Sequence, residues 1–158
     1  MESNISKLRQ SASAAKGVPV DPDMLPYMLN RLTSRANQLW VKQLREHGLT
    51  IGRWHVLSVL ARYDGSRIGT IADLSGGEQP AVSRVIDQME RDGLVGRRPS
   101  LDDSRAVEVW LSKRGRQIID NLLPEAEEFV ARMLRSLDEG EINQLAGFLE
   151  RLMADMSE

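Results

Sequence analysis

Residues 71–115 predict a mainly α protein with a small β-hairpin, built around a winged helix-turn-helix. Three observations carry that expectation. A short helical run ending at Ser75 is followed by Gly76-Gly77 and then by an amphipathic run over 79–92, the order helix, turn, helix. Residues 94–97 and 107–111 are β-prone runs. The connection between them, Pro99-Ser100-Leu101-Asp102-Asp103-Ser104, is turn-rich, with Arg97 and Arg98 before it and Arg105 just past its tip.

The elements follow in order. Residues 1–23 are rich in Ser, Ala, Pro and Asp and read as a mobile arm. From Leu25 onward, Met28, Leu29, Leu32, Ala36, Leu39, Trp40 and Leu44 recur at steps of three and four. That spacing predicts one long helix with a single apolar stripe, ending near Gly48. Thr50 is the expected N-cap of a second helix through Trp54, Leu57, Leu60 and Ala61, which Asp64-Gly65 breaks. A short helix over 70–75 comes next. The amphipathic helix over 79–92 has Pro80 in its first turn and Gly93 just past its end. Ser112 is placed to cap a helix through Ile118, Ile119, Leu122, Leu123, Phe129, Val130, Met133 and Leu134. Pro124 is expected to kink or interrupt it. Asp138 and Glu141 have capping-box spacing for a last helix striped by Ile142, Leu145, Leu149, Leu152, Met153 and Met156.

Composition narrows the function. The 158 residues have room for one domain with helical extensions. A 41% hydrophobic and 28% charged chain folds rather than staying disordered. The net charge of −2 hides a gradient. Residues 1–78 hold ten Lys/Arg against seven Asp/Glu, 79–116 eight against six, and 117–158 three against ten. A locally basic middle with an acidic far end suits a protein that turns one face to phosphate. There is no cysteine, which removes disulfides, thiolate ligands and thiol nucleophiles. His47 and His55 lie on different helices, so no metal site is expected. Neither H-E-x-x-H nor a phosphate-cradling glycine loop occurs, and Glu125, Glu127 and Glu128 read as a solvated face. An enzyme is therefore not expected, nor a cofactor. No apolar run reaches the ~18 residues of a membrane span, and the N-terminal stretch has no secretory core. A cytoplasmic location without membrane contact is the expectation.

The amphipathic helix divides into two faces. Val82, Val85, Ile86 and Met89 have core spacing, while Gln79, Pro80, Ser83, Arg84 and Asp87 face the other way, with Ala81 among them. Any amphipathic helix has a polar outer face, so this alone does not single out DNA. Arginines along the hairpin do. Ser83 and Arg84 have the donors for base edges or phosphates, and Gln79 sits near the helix N-terminus, where such helices reach the groove. Arg97, Arg98 and Arg105 can follow the backbone or enter a minor groove, with Asp103 orienting Arg105.

These residues resemble the MarR family of bacterial winged-helix regulators, closely over 49–124 and in pattern beyond. The resemblance rests on Leu49-Thr50, Trp54, Val56-Leu57 and Leu60; on Ile71-Ala72; and on Val82-Ser83-Arg84 with Asp87, Glu90 and Gly93-Leu94-Val95. It continues in Arg97-Arg98-Pro99, Asp103-x-Arg105-Ala106 and Leu111-Ser112-x-x-Gly115. Ser75 and Gly77 depart from the family's larger apolar residues, which implies a looser turn before the recognition helix, and Gly96 stands where the family often has Glu or another larger residue.

The resemblance implies a homodimer, with a dimerisation helix over 24–48, a DNA-binding domain over 49–112 and C-terminal dimerisation helices over 113–158. The stripes over 25–44 and 142–156 fit this independently, since they exceed what a domain of about 65 residues needs to cover itself. Two recognition helices would then lie about 34 Å apart and read a pseudo-palindromic operator in double-stranded DNA. The resemblance also implies a small-molecule pocket between the dimer helices and the reading lobe. Arg31, Arg35, Trp40, Trp54 and His55 are its candidate residues, suited to an aromatic carboxylate or an acyl-CoA-like effector that releases a repressor. The alternatives are a winged-helix regulator without an effector and a winged helix used only for protein contacts.

Overall fold

Side-chain caps open several of the helices. The computed structural model describes residues 21–100 and 106–156. A 3-10 turn, Pro22–Met24, leads into α1 (Leu25–Glu46). Thr50 Oγ1 accepts the Arg53 backbone N–H at 3.3 Å and opens α2 (Ile51–Arg62). A two-residue strand, β1 (Ser66–Arg67), precedes α3 (Ile68–Ser75) and α4 (Gln79–Arg91). Then come β2 (Val95–Pro99) and β3 (Val107–Leu111). Ser112 Oγ accepts the Gly115 N–H at 2.9 Å and opens α5 (Lys113–Leu134). Asp138 and Glu141 form the full capping box of α6 (Glu139–Asp155), with bonds of 2.8 and 2.9 Å.

Three expectations need adjustment. The hairpin is part of a three-stranded antiparallel sheet ordered β1-β3-β2, with Ser66 opposite Val109. Two residues have no periodicity to betray a strand. Pro124 does not interrupt α5. It lies on the exposed side, where water can take the carbonyl that its ring leaves unpaired. The turn before α4 is closed rather than loose. Gly76 adopts φ 67°, a left-handed conformation that costs glycine little, and the N–H groups of Gly76 and Gly77 bond to the Asp73 and Ala72 carbonyls.

The core lies where α2 meets α3, α4 and the sheet. Leu57, Leu60, Ile71, Ile86, Met89 and Val109 are fully buried there, joined by Leu44 of α1 and by Ile119 and Leu122 of α5. The outer helices contribute little to it. α1 buries only Trp40 and Leu44 of its 22 residues, and α6 buries none and touches the other described elements only slightly. Leu25, Met28, Leu29, Leu32 and Leu39 of α1 stay exposed, as do Leu145, Phe148, Leu152 and Met153 of α6.

Candidate nucleic-acid interface

Burial of Val82, Ile86 and Met89 fixes how α4 is rolled against the core. That roll turns Gln79, Pro80, Ala81 and Arg84 outward, with Ser83 half-buried at the edge of the face. The same outward stripe continues through Gln88 and Arg91, which the sequence reading passed over. Their spacing of four and seven residues from Arg84 was the available signal. Glu78, at the N-cap, makes no side-chain capping bond; Pro80 carries no N–H, and the Ala81 N–H closes on the Glu78 carbonyl at 2.9 Å.

The two arginines at the start of the wing have different neighbours. Adjacent strand residues point to opposite faces. Arg97 turns inward to α4, where its guanidinium bonds Asp87 at 2.6 Å and also Glu90, and its backbone N–H donates to Glu90 at 3.1 Å. Partial burial opposes its charge, but the hydrogen bonds and charges of Asp87 and Glu90 outweigh that and raise its pKa. Asp87 and Arg97, both expected at the DNA, are thus engaged with each other and brace the helix against the sheet. Arg98 turns to the other face and is exposed. Asp103 and Arg105 lie outside the described residues.

A second latch holds the C-terminal end of α4. Arg53 of α2 pairs with Asp92, Arg114 of α5 donates to the Asp92 carbonyl at 2.9 Å, and Ser112 Oγ donates to the Gly93 carbonyl at 2.7 Å. α2 and the start of α5 therefore converge on the residues just after the helix, so its C-terminal half is held by these two helices as well as by the wing.

The five candidate effector residues do not form one site. Trp40, Trp54 and His55 line a cleft of about 200 Å³ between α1, α2 and α5. The Trp40 ring packs against Trp54 at 5.1 Å in a T-shape and against Phe129 at 5.2 Å. Arg35 lies in a separate cleft of about 470 Å³ between α1 and α5, with Lys42 and Arg132 at its edge and Leu39, Phe129 and Met133 in its wall. Arg31 lines neither. Ala36, Phe129 and Met133 are shared by the two clefts. Telling them apart requires knowing how α1 packs on α5, which helix periodicity does not give.

Burial lowers the His55 pKa from its ordinary value, because the low-dielectric surroundings disfavour imidazolium. The unfolded chain therefore binds this proton first. Stability owed to neutral His55 is complete above the unfolded pKa and is lost as pH falls towards the depressed folded value. The melting temperature is expected to drop between about pH 7.5 and pH 5.5, and to drop less in His55→Gln. Calorimetry at matched ionic strength measures both; identical pH profiles would remove His55 from the account.

Among the described residues no group of three His, Asp or Glu side chains is placed to hold a metal ion, and no helix is long and apolar enough to cross a membrane. Residues 49–107 match the model of the MarR family. The chain is 28% identical over 124 residues to the HTH-type transcriptional repressor IacR of Pseudomonas putida, covering 78% of this chain and 74% of that one. It is 25% identical over 111 residues to the homoprotocatechuate degradative operon repressor of Escherichia coli, covering 70% and 75%. The crystal structure of a MarR-family transcriptional regulator from Silicibacter pomeroyi superposes with a TM-score of 0.73 at 30% identity, over 82% of this chain and 88% of that one. These relatives are transcriptional regulators, not enzymes. With its winged helix-turn-helix and outward-facing α4, this chain belongs to the MarR family of DNA-binding transcriptional regulators.

Proposed function

We propose that the protein is a homodimeric, sequence-specific repressor of the cytoplasm, released from a pseudo-palindromic operator by a small aromatic carboxylate or acyl-CoA-like effector. The carrying observation is the stripe Ala81, Arg84, Gln88 and Arg91, turned outward on a helix whose C-terminal half is braced by the wing, α2 and α5. In this reading Arg84 takes a guanine edge, and Gln79, Pro80, Ala81 and Ser83 line the major groove beside it. Arg98 contacts a phosphate and Arg105, oriented by Asp103, enters the minor groove. Arg97 and Asp87 act indirectly, by holding α4 at its angle to the wing.

Residues 24–48 and 113–158 supply the dimer contact and residues 49–112 the reading unit. The exposed apolar faces of α1 and α6 support this, because a second copy is what would remove them from water. The two clefts support an effector site, since both open between α1 and α5 and the smaller one also reaches α2 of the reading unit. Arg35, Lys42 and Arg132 offer charge to a carboxylate, and Trp40, Trp54 and His55 offer aromatic walls. A ligand wedged there would favour a dimer whose α4 helices are wrongly spaced, and only a difference in affinity between the two states can shift them. The relatives named for repression, one of a homoprotocatechuate degradative operon, favour this reading over a wing used only for protein contacts.

One binding experiment tests both parts. With duplexes selected from a random library, Arg84→Ala should lose most of its preference for selected over scrambled DNA, about a tenfold effect for one bidentate contact. A uniform loss on both duplexes would make Arg84 a phosphate contact. Benzoate-class carboxylates should dissociate the wild-type complex, and indifference to them and to acyl-CoA thioesters would favour the regulator without an effector.

A further inference from the structure

We propose that Trp110 is a positioning residue, an aromatic platform that holds Arg98 against a DNA phosphate. This rests on the reading of Arg98 as a DNA contact. The Arg98 guanidinium carbon lies 5.3 Å from the centroid of the Trp110 ring, within the range at which a cation is drawn to an aromatic face. The strand register places Trp110 opposite Gly96, so the residue facing the indole across the ladder has no side chain. Glu108 is opposite Arg98 in the same register, yet no ion pair joins them, and the guanidinium lies over the ring instead.

The platform is itself fixed from behind. Gly65 adopts φ +78°, and a Cβ at that position would overlap the Trp110 indole. Its N–H donates to the Val109 carbonyl at 3.1 Å, which draws the turn against β3. Asp64 secures the same turn, accepting the Leu111 N–H at 2.8 Å and Arg116 at 2.7 Å. The Trp110 indole N–H is buried and finds no acceptor among the described residues, so the ring acts through its face. The slot at Gly65 thus holds a flat π surface beneath an exposed arginine at the base of the wing. A guanidinium resting there surrenders less freedom on meeting a phosphate than one free in solvent.

The test measures affinity of the full chain for a library-selected duplex across a salt series, using R98A, W110M, W110F and the double variant R98A/W110M. Methionine fills the slot without a π face, and W110L supplies the same comparison should W110M not fold. W110M is expected to weaken binding about threefold, the worth of a cation–π contact at an exposed site. W110F should restore it, and W110M should cost nothing further in the R98A background. Equal losses from W110M in both backgrounds would overturn the proposal, since Trp110 would then serve the sheet and not Arg98. R98A itself should reduce the salt slope by about one. An unchanged slope and affinity in R98A would instead overturn the reading of Arg98 as a DNA contact.

Discussion

The double substitution Phe148→Glu, Leu152→Glu is expected to yield a folded monomer whose operator affinity is at least about a hundredfold below wild type. Both side chains are 48% exposed within the chain, so they add little to its own core. In the proposed dimer their value lies in the contact between copies, where charge on an apolar face is costly to bury. Once the copies part, the second half-site is no longer engaged at high effective concentration, and that gain is typically two to four orders of magnitude. Sedimentation equilibrium gives the assembly state, and anisotropy on the selected duplex gives the affinity. A dimer that survives both charges, with unchanged binding, would place the contact on another surface.

Arg97→Ala should destabilise the protein by about 1–2 kcal/mol and weaken operator binding about tenfold. The Arg97 side chain is only 23% exposed, and its removal leaves Asp87 and Glu90 on one helix face without their shared cation. Those carboxylates are 46% and 39% exposed, so solvent softens the cost below that of a fully buried pair. DNA binding suffers because α4 loses its tie to the wing. Arg97→Lys should recover part of the stability, since an ammonium satisfies charge but cannot fork between two carboxylates. Urea titration gives the first effect and anisotropy the second. Wild-type stability combined with a salt slope lowered by about one would show that Arg97 meets phosphate instead.

Arg97 also marks where sequence reasoning stops. Helix starts were legible because Thr50, Ser112 and the Asp138–Glu141 pair act on backbone groups within three residues. The core face of α4 was legible for a similar reason, its period being local. Grouping Arg97 with Arg98 was natural by charge, but strand alternation sends them to opposite faces, and only the fold shows that one face meets α4. β1 was missed because two residues carry no pattern. The pairing of Trp110 with Gly65 spans a turn and a strand 45 positions apart in the numbering, a contact that depends on the sheet. Arg35 and Trp54 fall in different clefts for a comparable reason, the angle at which α1 crosses its neighbours.

The stack of Trp40, Trp54 and Phe129 joins α1, α2 and α5 in one aromatic cluster. Indole emission depends on such neighbours, so the protein carries an internal optical gauge at the joint between its outer helices and its reading unit. Of its three tryptophans, two sit at that joint and one in the wing. Silencing the wing with Trp110→Phe would leave a label-free readout of how the outer frame moves against the part that meets DNA.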